Sequence, residues 1–280
     1  MKMAIQLAEK YLPYVDEIFA KESKKSLLTN NDFNFTGAGT VKIYKISTAE
    51  MNDYGRNGAE SGNWSRYGAV ESLDATTEVM TLKYDRSFTF AIDKLDTDET
   101  GGTLAGASAL ARQTRQVVVP EVDAHVYLTM TAEAGTKPAG IALTKANIYE
   151  QILTASKTLD DALVPETGRV LVVTPETYRI MKLNPEIIMN TEVGADDRKR
   201  GVISNLDGAL VIKVPASRLP EKFGFMLAHP CATVAPTKLE DYKTHQDPPG
   251  INGTLVEGRI VYDAFVLENK ASAIYYQETA

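Results

Sequence analysis

Residues 76–123 read TTEVMTLKYDRSFTFAIDKLDTDETGGTLAGASALARQTRQVVVPEVD. The first half alternates with period two. Met80, Leu82, Tyr84, Phe88, Phe90 and Ile92 fall on one face, and Val79, Thr81, Lys83, Asp85, Ser87, Thr89 and Asp93 on the other. Arg86 is the one charge on the apolar face. As a single strand, residues 80–93 would run about 43 Å at roughly 3.3 Å per residue, about twice an ordinary strand. A ribbon of that length is expected to reach outward rather than fold over a small core.

The second half steps like a helix. Leu104, Ala107, Ala111, Val118, Val122, Val126 and Met130 recur at spacings of three, four or seven. Thr103 is the expected N-cap. Asp96, Asp98 and Glu99 precede it, on the side where the helix dipole favours negative charge. Helical from 103 to 132, the segment would be about 45 Å long at about 1.5 Å per residue. Pro120 lacks an amide proton and would crowd the carbonyl of Gln116, so a kink or break is expected there.

The passage YDRSFTFAIDKLDTDET, followed by a helix pattern that holds VVVPEVDAHV, resembles the major capsid proteins of tailed bacteriophages. The aromatic-rich strand that ends in the acidic run, directly before the helix, is the most specific part. Those proteins share the Johnson fold: an extended β-hairpin loop, a long spine helix, a peripheral domain and an axial domain. The resemblance implies an α+β chain with an N-terminal arm over 1–40 and an extended hairpin loop over 41–100. It further implies the spine helix and peripheral domain over 101–140, an axial domain over 141–250, and a return to the peripheral domain over 251–280.

The function implied is that of a structural subunit that assembles with itself into pentamers and hexamers. These would form an icosahedral head, built in the bacterial cytoplasm and enclosing double-stranded DNA. Scaffolding, portal and decoration proteins would be further partners. No cofactor, metal, membrane or sequence-specific DNA contact is implied. A compartment shell of the encapsulin type, enclosing a cargo enzyme, is the alternative with the same fold. Some capsid proteins of this kind join hairpin loop and neighbour by a Lys–Asn isopeptide. Here Lys83 and Lys94 lie on the strand while residues 55–68 hold no lysine, so that cross-link is not expected.

Composition agrees with a folded, non-secreted protein. The chain has 280 residues, 44% apolar and 24% charged, enough for about two domains and a sizeable core. Its net charge of −7 argues against a protein held to nucleic acid by clustered Lys and Arg. In a shell around DNA, a mildly acidic lining would enclose without adhering. A single cysteine, Cys231, excludes an intrachain disulfide. Residues 1–19 carry Glu9 and Asp16 and no apolar run suited to a signal peptide or membrane span, which fits synthesis in the cytoplasm.

The remaining elements follow from local pattern. Residues 3–20 read as an amphipathic helix through Leu7, Tyr11, Val15 and Ile18, weakened by Pro13; it would pack on its own core or lie along a neighbour as an arm. Residues 21–40 read as a linker. Val41 to Ser47 form the first hairpin strand, with a bulge or a two-sided environment expected where Ile43, Tyr44 and Ile46 crowd both faces. Residues 48–75 combine four glycines with Tyr54, Trp64 and Tyr67 and suit the hairpin tip. Residues 133–140 read as a hinge. Thr144 should cap a helix with Ile148, Ile152, Ala155, Leu159 and Leu163 on one face. A buried strand over 170–173 then precedes Thr174-Pro175-Glu176, a strong helix start. Residues 191–201 suit an exposed loop near the capsomer axis, and 209–214 and 223–227 suit short strands. Residues 237–250 read only as polar, and 258–277 as two short strand patterns.

Candidate chemistry is sparse. Asp96, Asp98 and Thr100 match the D-x-D-x-T pattern of aspartate-nucleophile phosphatases, which would make Asp96 the nucleophile and Asp98 the proton carrier. Five residues of low complexity also serve as charge compensation before a helix. His229 and Cys231, with His245 beyond, fall short of a zinc set, and His125 with Glu121 shares only one helix face. No phosphate loop, dinucleotide motif or nucleophile elbow is present. The expectation is therefore a protein without catalysis, whose working residues are contacts. Tyr54, Arg56, Trp64, Arg66, Tyr67 and Arg86 are the candidate subunit contacts, with Asp85, Asp93, Asp96, Asp98 and Glu99 as charged partners.

Overall fold

A computed structural model describes residues 23–30, 40–46, 48–58, 64–69, 72, 75–99, 106–190 and 205–280. The expected helix over 3–20, the Thr103 cap and the loop over 191–201 lie outside the described residues. In chain order the elements are β1 (Thr40–Ile46), β2 (Ala75–Thr81), β3 (Tyr84–Asp93), α1 (Lys94–Glu99), α2 (Gly106–Gln113), α3 (Val119–Ala132) and α4 (Ile148–Asp161). Then come β4 (Val170–Val173), α5 (Pro175–Lys182), α6 (Pro185–Asn190), β5 (Asn205–Leu206), β6 (Ala209–Lys213) and β7 (Phe223–Ala228). The chain finishes with β8 (Thr233–Val234), β9 (Thr237–Gln246), β10 (Gly253–Tyr262), β11 (Phe265–Val266) and β12 (Ile274–Glu278). The chain divides into two units, residues 35–82 and the remainder.

The smaller unit is an antiparallel hairpin of β1 and β2. Its register runs without interruption from Thr40 opposite Thr81 to Ile46 opposite Ala75, so the expected bulge is absent. Both faces instead carry apolar side chains. Val41, Ile43 and Met80 lie on the shielded face beside the Lys45–Glu78 ion pair, while Tyr44 and Val79 stand exposed on the other.

The long strand expected over 80–93 is two strands. β2 ends at Thr81 and pairs with β1, whereas β3 begins at Tyr84 and pairs with β10. Between them the amide of Lys83 leaves any ladder and donates to Asp263 Oδ2 at 3.0 Å. A side-chain carboxylate thus takes the hydrogen bond that a continuing strand would have offered a neighbour. β3, β10 and β9 form a three-stranded antiparallel sheet. β9 occupies residues that read only as polar; Lys243 pairs with Asp241 within the strand and His245 with Glu257 across it.

The long helix is continuous through Pro120. α2 runs into a π-helical turn (Thr114–Val118) and then α3, with right-handed helical dihedrals at Gln113, Val118 and Val119. Together they span about 40 Å at about 1.5 Å per residue. The expected break does not occur. Val119 N bonds to Thr114 O, five residues back, and the wider turn accommodates the proline ring and its missing donor.

This helix joins two apolar clusters. Val118 and Val122 pack with Ile260 and Tyr262 of β10 and with Phe88 of β3. One turn on, Val126, Tyr127 and Met130 enter the larger core around the five-stranded sheet, of order β12-β7-β4-β6-β5. β4 is buried along its whole length, as its unbroken VLVV run requires. α4 covers this core with Ile148, Ile152, Ala155 and Leu159, the aliphatic side chains each stabilising by about 1.5–3 kcal/mol on full burial. The expected fifth member, Leu163, is 91% exposed, since the helix ends at Asp161 and Leu163 turns to φ +57°.

Thr144 contributes differently from a side-chain cap. Its carbonyl accepts from the amides of Asn147 and Ile148, so α4 starts later than expected. Thr174 does cap α5, accepting from Thr177 N at 3.0 Å, and Asn184 caps α6 through the amides of Glu186 and Ile187. The segment read as a hinge is pinned. Gly135 N donates to Ala271 O, Tyr276 N to Thr136 O, and Gln277 Nε2 to Ala139 O. At Gly135 a Cβ would stand 2.6 Å from the Ala271 backbone, so only glycine permits this approach. Among the described residues no helix is long and apolar enough to cross a membrane.

Candidate functional site

The hairpin tip displays the aromatics that its composition suggested. Gly55 N donates to Arg66 O at 2.8 Å, which brings the two sides of the tip together. The Tyr54 and Tyr67 rings then meet edge-on at 5.1 Å. Trp64 is 86% exposed, and Met51, Tyr54, Arg56, Arg66 and Tyr67 are exposed as well. Rings and guanidinium groups of this kind are favoured in protein interfaces. Chemically the tip can bury area and stack.

The other sequence candidates are already engaged within the chain. Asp85 forms a bidentate pair with Arg259, at 2.9 Å and 2.5 Å, on the outer face of the three-stranded sheet. The Arg259 hydrogen bond holds the Asp85 carboxyl below the usual aspartate range. Arg86, the charge on the apolar face of β3, reaches the long helix and donates to Glu121 Oε1 at 2.8 Å. Tyr262 Oη donates to the same oxygen at 3.1 Å. Burial, then the negative charge of Glu121, pushes the Tyr262 phenol up to about 12. Asp93 Oδ1 accepts from Leu95 N and caps α1.

The acidic run therefore does not merely precede a helix; it is a short helix. Asp96 and Asp98 are exposed on α1, and Glu99 is its last residue. Residues two apart on a helix point to different faces, so Asp96 and Asp98 do not converge as a phosphatase pair must. The histidines are spent singly. His229 Nδ1 accepts from Cys231 N and its Nε2 donates to Thr167 O, while His245 meets Glu257 at 3.2 Å. His125 turns from Glu121 to Asp263, at 2.8 Å. Among the described residues no group of three or more His, Cys, Asp or Glu is placed to hold a metal ion.

Sequence reasoning missed the buried polar groups that tie the body together. Asp123 on α3 pairs with Arg218 at 2.8 Å, and both are nearly inaccessible. Ser23 Oγ donates to the second Asp123 oxygen at 2.6 Å. Nearby, burial lowers the Lys25 ammonium pKa despite the Asp123 charge, and burial raises that of the Tyr127 phenol. Arg169 closes the end of α4 by donating to the carbonyls of Val164 and Pro165. The one visible signal was Asp123 sitting beside Val122 in an apolar stripe.

The profile of the phage capsid protein family matches residues 74–276. No curated protein is similar to the chain in sequence. Among solved structures, Mycobacterium phage Che8 superimposes with a TM-score of 0.73 at 20% identity, covering 99% of this chain and 98% of that one. The capsid of cyanophage P-SCSP1u gives 0.74 at 13% identity, with 98% and 93% covered. A virus-like particle from Pyrococcus furiosus is less similar, at 0.56 and 11% identity, with 92% of each chain covered. At these identities the superpositions establish the shared fold. The family match spans most of the sequence, from β2 into β12, and on it the chain belongs to the phage capsid protein family, as a structural subunit.

Proposed function

We propose that this chain is the repeating subunit of an icosahedral phage head. It assembles with itself into pentamers and hexamers in the host cytoplasm and encloses double-stranded DNA without reading its sequence. The observation that carries this reading is the exposed tip, with Tyr54, Trp64 and Tyr67 beside Arg56 and Arg66. So much aromatic area repays exposure only when another chain covers it. These five are the proposed neighbour contacts. Asp96, Asp98 and Glu99 on α1 are proposed charged contacts, with Asp85, Arg86 and Asp93 as second contributors beyond their intrachain partners.

In the proposed domain scheme the long helix with the β3-β10-β9 sheet is the peripheral part. The five-stranded sheet with α4 and α5 is the axial part. We include β9 in the peripheral part because it pairs with β10, and β12 in the axial part because it pairs with β7. The arm over 1–40, the loop near the capsomer axis, and scaffolding, portal and decoration partners complete the scheme. The protein has no enzymatic role and needs no cofactor or metal.

Negative-stain microscopy of the large species pelleted from expressing cells tests this. Closed round shells are expected. Soluble monomers that remain so when co-expressed with the neighbouring structural genes would overturn it. The second reading, a compartment shell, is favoured only by the Pyrococcus furiosus particle, at the lower TM-score of 0.56. Shells that retain a folded cargo protein and exclude DNA would favour it.

A further inference from the structure

Asp263 lies between β10 and β11, is 5% exposed, and accepts from three donors. Its Oδ1 takes the amide of Ala264 at 2.8 Å and His125 Nε2 at 2.8 Å, and its Oδ2 takes the amide of Lys83 at 3.0 Å. An ionised carboxylate only accepts, so His125 carries its proton on Nε2. The carboxylate is thus aimed from two sides. Its own backbone is fixed too, with Asp263 N donating to Pro236 O at 3.2 Å. Around it three rings pack together: the Tyr84 ring lies tilted 4.2 Å from His125 and stacked 5.6 Å from Tyr262, and Tyr262 is hydrogen-bonded to Glu121. Lys83 and Tyr84 are therefore held by one carboxylate and one cluster of rings. They are the residues at which the chain passes from the β1–β2 hairpin to β3.

We propose that Asp263, oriented by His125, is a positioning residue for assembly: by anchoring the Lys83 amide it ends the hairpin strand at Thr81 and fixes the point at which the hairpin departs. Without the anchor, Leu82 and Lys83 could continue β2, and the tip would be offered to neighbours from a variable root. The consequence for assembly rests on the capsid reading; the anchoring itself does not.

Asp263→Asn tests it. An amide has one acceptor oxygen and cannot serve all three donors, yet it keeps the shape of the side chain. In the variant, the amide of Lys83 should exchange with solvent about tenfold faster or more, the protection of one charge-assisted hydrogen bond. Exchange in β7 and β12 should be unchanged, and closed shells should give way to irregular or open assemblies. His125→Gln, which keeps a donor at the Nε2 position, should restore more shell formation than His125→Leu. Unchanged shells from Asp263→Asn, or faster exchange throughout the five-stranded sheet, would overturn the proposal. Should that variant not fold, wild-type exchange decides: a protected Lys83 amide upholds the anchor, and one exchanging as in an open loop removes it. Wild-type protein that forms no shells counts against the capsid reading and leaves the exchange result to judge the anchor.

Discussion

Gly258 lies in β10 directly between Phe88 and Tyr242 on its two neighbours, and their rings close over it. A Cβ there would stand 2.4 Å from the Phe88 ring and 2.8 Å from Tyr242. Gly258→Ala should therefore destabilise the unassembled subunit by about 1–3 kcal/mol, the usual range for overpacking, read as a lower denaturant midpoint. Leu163 is the opposite case. It ends α4 in the left-handed region with its side chain in water, where glycine is the residue of choice. Leu163→Gly should relieve a backbone penalty of about 1–2 kcal/mol and lose part of that to chain entropy. A net gain of up to about 1 kcal/mol is expected, and a lower midpoint would contradict the assignment.

The long helix works as a beam between two cores, and its turn of wider pitch lets it pass Pro120 unbroken. Its deepest polar link is Asp123 with Arg218 of the 3-10 turn Ala216–Arg218, joined by Ser23 from the N-terminal segment. Removing one partner of such a pair costs more than the pair contributes. Asp123→Ala should cost about 3–5 kcal/mol, measured by chemical unfolding, because the Arg218 charge then stays buried without this carboxylate. A double change to apolar residues of similar volume should recover much of the loss. By contrast Arg86 and Glu121 are both partly in water, and exposed pairs contribute only about 0–1 kcal/mol.

Across the molecule, two phenols report on packing at high pH. Burial raises Tyr262 and Tyr276 to about 12, the first in the interface between long helix and three-stranded sheet, the second in the five-stranded sheet. In the unfolded chain a tyrosine loses its proton near pH 10, about two units lower. Their contribution to stability is therefore fully present below about pH 10 and is lost as the pH rises towards about 12. Unfolding midpoints should fall over that window, with tyrosinate absorbance rising together with the loss of structure. Tyrosinate appearing in Tyr262→Phe and Tyr276→Phe as it does in the wild type, with an unchanged midpoint, would refute the assignment.

Local pattern was enough to identify the long helix, the buried VLVV strand, the Thr174-Pro175 helix start and the exposed aromatic tip. Each is decided by side-chain period, a cap or a turn residue within a few positions. The passage from Tyr84 to Val126 was also enough to suggest the capsid fold. What local pattern could not decide were events that depend on residues far away in sequence. The strand breaks at Lys83 because a carboxylate 180 positions later takes its amide. Residues 133–140 are pinned because Thr136 bridges to Tyr275 of the C-terminal strand and Gly135 bonds to Ala271. Asp85 and Arg86, read as contacts for a neighbour, first find Arg259 and Glu121 in their own chain. A charge in a sequence states its need for a partner, and only the folded chain states which partner is nearest.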